Sequence, residues 1–92
     1  MEEFNLEDLR NNIDKVDREL IKLLAARFEL TEQVGIYKAK NNLNPQDKSR
    51  ETEQFNKLIK LSQESGLNPD YALKIFRCIM DIAISRHQEI GK

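Results

Sequence analysis

The stretch LRNNIDKVDRELIKLLAARFELTEQVGIYK, residues 9–38, decides the fold. Its apolar positions step by fours and threes through Leu9, Ile13, Val16, Leu20 and Leu23, and the row resumes at Leu30, Val34 and Tyr37. That spacing lays one apolar stripe along a single face of an α-helix. The step after Leu23 lands on Arg27, a cation on a seam otherwise built to be covered. Burying a guanidinium costs several kcal/mol unless an anion meets it, so Arg27 calls for an internal carboxylate or an anionic ligand.

Upstream of this stretch Asn5 reads as an N-cap, with Glu7 and Asp8 in the first turn, and downstream helical composition persists to about Lys40. A helix of about 35 residues is ~50 Å long, whereas a compact chain of this size has a radius of gyration of only ~12 Å. The overhanging stripe predicts cover by a second copy, an intertwined helical homodimer. A break near Gly35, giving a simple three-helix bundle, is the competing arrangement.

The rest of the chain supplies two further helices. Asn41-Asn42-Leu43-Asn44-Pro45 is a loop by composition, and a second helix begins between Asn44 and Asp47, either of which can cap it. Its apolar face is Phe55, Leu58, Ile59 and Ser62. Gly66 suits the left-handed residue that closes a helix, Leu67 the packing position after it, and Asn68-Pro69-Asp70 the start of a third helix running to about Glu89. The expectation is an all-α fold with three helices per chain, one of them very long, in a single domain over 1–92.

Composition narrows the function. With 15 Lys+Arg against 16 Asp+Glu, no Trp, two Tyr and four Phe, the chain lacks the basic, aromatic-rich surface of a nucleic-acid binder. The start, MEEFNLEDLR, has no basic region followed by an apolar core, and no apolar run approaches the ~20 residues of a membrane span, so the reading is a cytoplasmic protein without a membrane partner. The single cysteine, Cys78, has no partner for an internal disulfide; lying among Ile75, Phe76 and Ile79, it reads as a small core residue.

The face carrying Arg27 also includes Thr31, Val34 and Lys38. Arg27 and Lys38 frame a gap of ~16 Å between their Cα atoms, which long side chains can close around a small dianion. Internal pairing with Glu51 or Glu53 is the alternative. Lys40 is rotated to the opposite, solvated side.

These residues carry a resemblance. Leu9-Arg10-Asn11-Asn12-Ile13-Asp14-Lys15-Val16-Asp17, then Leu23-Leu24-Ala25-Ala26-Arg27 and Val34-Gly35-Ile36-Tyr37-Lys38, resemble the first helix of the all-helical chorismate mutases. Pro45-Gln46-Asp47-Lys48-Ser49-Arg50-Glu51 and Ile75-Phe76-Arg77-Cys78-Ile79-Met80 resemble the second and third. The resemblance implies an intertwined dimer with two equivalent pockets, each completed by an arginine of the other chain, and Arg10 matches that arginine. Arg10 and Arg27 are seventeen residues apart, ~25 Å along the axis and on different faces, so they meet one small ligand only across a dimer.

The implied reaction is the rearrangement of chorismate to prephenate, a pericyclic step without covalent intermediate, cofactor or metal. The sequence accordingly offers no nucleophile with its base, no metal-ligand cluster and no phosphate-cradling glycine loop. By the resemblance Arg10 and Arg27 clamp the two carboxylates, Lys38 donates to the breaking ether oxygen, and Glu51 with the backbone around Asp47 receives the ring hydroxyl. Arg50 adds positive potential and holds Glu51, while Val34, Met80, Ala83 and Ile84 contribute walls. The family's usual serine and glutamine of the third helix are replaced by Ala83 and His87. Helical phase favours His87 over Gln88 as the residue facing the pocket, and contact with the ether oxygen makes activity depend on the imidazole's protonation. Isochorismate pyruvate lyases, mutases of aminodeoxychorismate and non-catalytic helical dimerisation or regulatory domains are the competing functions. The other enzyme domains often fused to such mutases are not expected within these 92 residues.

Overall fold

A computed structural model describes residues 5–92 of the chain. Its elements are three α-helices in the order α1 (Leu6–Lys40), α2 (Lys48–Ser65) and α3 (Pro69–Ile90). Helix α1 is continuous through Gly35, so the break considered there does not occur. None of the helices among the described residues is long and apolar enough to cross a membrane.

Local chemistry sets every helix end. The Asn5 side chain accepts the Asp8 amide at 2.7 Å, which starts α1. Its far end closes through Asn42, held at φ 54, with the Leu43 amide donating to the Lys38 carbonyl at 2.8 Å and the Asn42 amide to Ala39 at 3.4 Å. Asparagine is the non-glycine residue best suited to that left-handed position. Helix α2 ends the same way through Gly66 at φ 73, with the Leu67 amide donating to Ser62 at 2.9 Å. Asp47 caps the start of α2 by accepting the Arg50 amide at 3.0 Å. Asn68 caps α3 by accepting the Asp70 amide at 2.9 Å, with Pro69 in the first helical position.

The chain divides into two compact units, Met1–Thr31 and Glu32–Lys92. In the first, the stripe positions Leu9, Ile13, Val16, Leu20, Leu23 and Leu30 are 43–67% exposed. Arg27, with Leu24 and Phe28, is half-buried. The second unit has a core: Ala72, Ile79, Met80 and Ala83 are buried in α3, and Phe55, Leu58 and Ile59 of α2 are half-buried. Ser62, also buried, satisfies its hydroxyl by donating to the Leu58 carbonyl at 2.7 Å.

Cys78 is exposed rather than part of this core. At ~100° per residue its side chain points about 100–140° away from the row Ala72, Ile79, Ala83, and it shares its side with the exposed Tyr71, Ile75 and Ile82.

Candidate functional site

The second unit builds a site around the loop 41–47, which ties the end of α1 to the start of α2. Lys38, in the last turn of α1, is half-buried, and its ammonium donates to the Pro45 carbonyl at 3.1 Å. Two open clefts meet at this side chain. One, of about 370 Å³, is lined by Gly35, Pro45, His87, Gln88 and Lys92 among others; the second, of about 330 Å³, by Asn44, Gln46, Asp47 and Ser49. Both are at the small end of the range for ligand sites, and both are lined by mixed polar and apolar groups.

On the α2 side Glu51 lies one turn into the helix that Asp47 caps. Gln46 donates its amide to both Glu51 oxygens, at 3.5 and 3.2 Å, and is itself placed by donating its backbone N–H to the Asn44 side chain at 3.0 Å. Arg77 of α3 approaches Glu51 Oε1 at 3.3 Å. Glu51 is therefore held by Arg77 and Gln46, not by Arg50. Arg50 is exposed, and its backbone N–H belongs to the Asp47 cap. Within this unit Glu51 meets Arg77 at 3.3 Å and Glu53 meets Lys57 at 3.9 Å. Lys40 is exposed, as its phase predicts.

On the α3 side His87 is buried, whereas Gln88 is exposed; both border the larger cleft. The imidazole is seated on Gly35 of α1. A Cβ added to Gly35 would lie 2.5 Å from His87 Cδ2 and 3.0 Å from Ile90 Cδ1, so only glycine admits this approach. Above that contact Arg86 grips Glu32 in a bidentate pair, with distances of 2.7 to 3.1 Å. The hydrogen bond from Arg86 holds the Glu32 carboxyl below its ordinary value, and the same contact raises the Arg86 guanidinium. Met80 and Ala83 are buried and Ile84 half-buried within α3, and Val34 is 46% exposed; among the described residues none of these four borders either cleft.

Arg10 and Arg27 belong to the first unit, where Arg10 is exposed. The order Arg10, Arg27, Lys38, Asp47, Arg50-Glu51 runs through a chain whose residues 9–88 match the family described as chorismate mutase type II. The chain belongs to this family.

Among its relatives is a bifunctional chorismate mutase/prephenate dehydratase of Aquifex aeolicus, 38% identical over 88 residues, which are 92% of this chain and 24% of that protein. The T-protein of Haemophilus influenzae is 33% identical over 94% of this chain and 23% of its own length. A protein named chorismate mutase from Methanocaldococcus jannaschii is 28% identical over 83% of this chain and 77% of its own. The chain thus spans about a quarter of the length of the Aquifex aeolicus and Haemophilus influenzae relatives.

Sequence reasoning missed Arg77, Gln46 and the Glu32–Arg86 pair. Arg77 and Glu51 are 26 residues apart, and no local spacing joins them. Gly35 did carry a signal, because a glycine inside a helix costs about 1 kcal/mol relative to alanine and calls for a packing reason.

Proposed function

We propose that the chain is a chorismate mutase, catalysing the rearrangement of chorismate to prephenate as an intertwined homodimer in the cytoplasm, with residues 1–92 acting as one catalytic domain. The observation that carries this is the convergence of the Lys38 ammonium and the Glu51 carboxylate on one loop, 41–47, in a chain of this family. A cation and an acid fixed about such a loop suit a ligand with an anionic or developing negative oxygen at one end and a hydroxyl at the other.

A pericyclic rearrangement needs no nucleophile. Rate comes from holding the substrate in its reactive chair and from stabilising charge on the breaking ether oxygen. Lys38 supplies the main donor, leaving the Pro45 carbonyl for the ether oxygen. His87, beside it on the larger cleft, supplies a second donor, and Glu51 accepts the ring hydroxyl. Arg10 of one chain and Arg27 of the other are the guanidinium forks for the two carboxylates, an assignment that rests on the family resemblance. The exposed stripe of α1 supports the dimer, since apolar side chains of this size contribute about 1.5–3 kcal/mol each when fully buried.

The test is loss of chorismate absorbance with products separated by chromatography, and isochorismate assayed in parallel. Prephenate is the expected product, and Lys38→Ala should lose about 10²–10³-fold or more in kcat with helical content unchanged. Pyruvate from isochorismate, or an unaffected Lys38→Ala, overturns the proposal.

A further inference from the structure

Glu51 is held by more contacts than a helix-surface carboxylate requires. Its side chain is only 15% exposed, whereas that of Arg77 is 47% exposed, so the acid is the sheltered member of the pair. Arg77 is itself fixed on three sides. Its guanidinium lies 4.7 Å from the centroid of the Phe55 ring, Nη1 is 3.3 Å from Glu51, and the same Nη1 is 3.6 Å from Asp81 one turn further along α3. From the loop Gln46 donates to both carboxylate oxygens, and Asn44 fixes Gln46. An exposed ion pair contributes little to stability. What this arrangement does supply is geometry: a carboxylate gripped from two elements has one available direction, and Phe55 and Glu51, at i+4 and i on α2, fix the guanidinium plane above them.

We infer that Arg77, together with Gln46, is a positioning residue that fixes the Glu51 carboxylate to receive the hydroxyl of the substrate; this rests on the function proposed above. Arg77 does not touch substrate in this assignment. It acts through Glu51, so its removal weakens a contact made equally in the ground and transition states and raises KM more than it lowers kcat.

The experiment is a double-mutant cycle on the full chain with Arg77→Met, Arg77→Lys, Glu51→Gln and the Arg77→Met/Glu51→Gln pair. Chorismate kinetics are measured alongside scalar couplings that report the Glu51 side-chain rotamer by NMR. Arg77→Met should raise KM about tenfold, Arg77→Lys should recover part of that, and the effect should shrink to less than about twofold when Glu51 is already glutamine. A merely structural arginine gives the same loss in both backgrounds, and that result overturns the inference. If the parent does not turn over chorismate, the function proposed above fails, and the NMR arm decides the positioning on its own. A single Glu51 rotamer that becomes averaged in Arg77→Met sustains it; a rotamer that does not change overturns it.

Discussion

The two units of this chain differ in how much of their apolar surface they bury. Residues 32–92 carry helix ends closed at Asn42, Asp47, Gly66 and Asn68 and a buried row on α3, while Leu43, Leu61, Tyr71, Ile75 and Ile82 stay 50–59% exposed. Residues 5–31 contribute a capped helix whose apolar row is left open to solvent from Leu9 to Leu30. The lesson is that an apolar stripe on a helix states a demand for cover without saying who meets it. For the row Ala72, Ile79, Ala83 of α3 the same chain meets it; for the open stripe of α1 we propose that a second copy does.

The largest effect expected is from breaking the first unit's stripe. Leu20→Asp with Leu23→Asp places two charges on it, and we expect sedimentation to show a monomer and prephenate formation to vanish, because Arg10 then has no second pocket to complete. A dimeric, active double variant removes the contrast between the units. In the second unit Gly35→Val forces side-chain atoms into the space of His87 and Ile90, with an expected loss of about 1–3 kcal/mol in thermal or denaturant unfolding. Asp47→Ala removes the cap of α2 and should cost about 1 kcal/mol, with a rise in KM because Glu51 lies in the turn that the cap begins.

The smallest expected effect is electrostatic. Arg86 holds the Glu32 carboxyl below its ordinary value, so the folded state favours the ionised form more than the unfolded chain does. The stability from this pair is present above the unfolded carboxylate value, about 4.3, and is lost as pH falls through the lower folded value. Glu32→Gln should therefore flatten the acid end of the unfolding curve and leave the alkaline end unchanged. Since both side chains are well exposed and salt screens them, the difference should fade at high ionic strength.

Much of the fold was legible because caps are local. Asn5, Gly66 and Asn68-Pro69 each announce a helix end within four residues, and the structure uses each one there. Asp47 was one of two candidates for the α2 cap, and Asn44 turned out to serve Gln46 instead. The site was less legible where it depends on pairing between helices. Lys38 and Glu51 stand out by their place in the series of charged residues, but the partner of Glu51 comes from α3, and a neighbour in sequence, Arg50, was the wrong choice. Cys78 shows the same limit, since residues adjacent in a helix point to different sides.

The loop 41–47 has a consequence for how this chain can vary over evolutionary time. Surface loops ordinarily absorb inserted or deleted residues at small cost. Here Lys38 grips the loop twice, through its carbonyl to the Leu43 amide and through its ammonium to the Pro45 carbonyl, and the loop hands on directly to Gln46, Asp47 and Glu51. One residue more or less between Leu43 and Asp47 would change the span between the Lys38 anchor and the Asp47 cap by about 3.5 Å, moving Lys38 and Glu51 apart or together. The loop is thus a ruler, and its length is as much a part of the site as the side chains at its two ends.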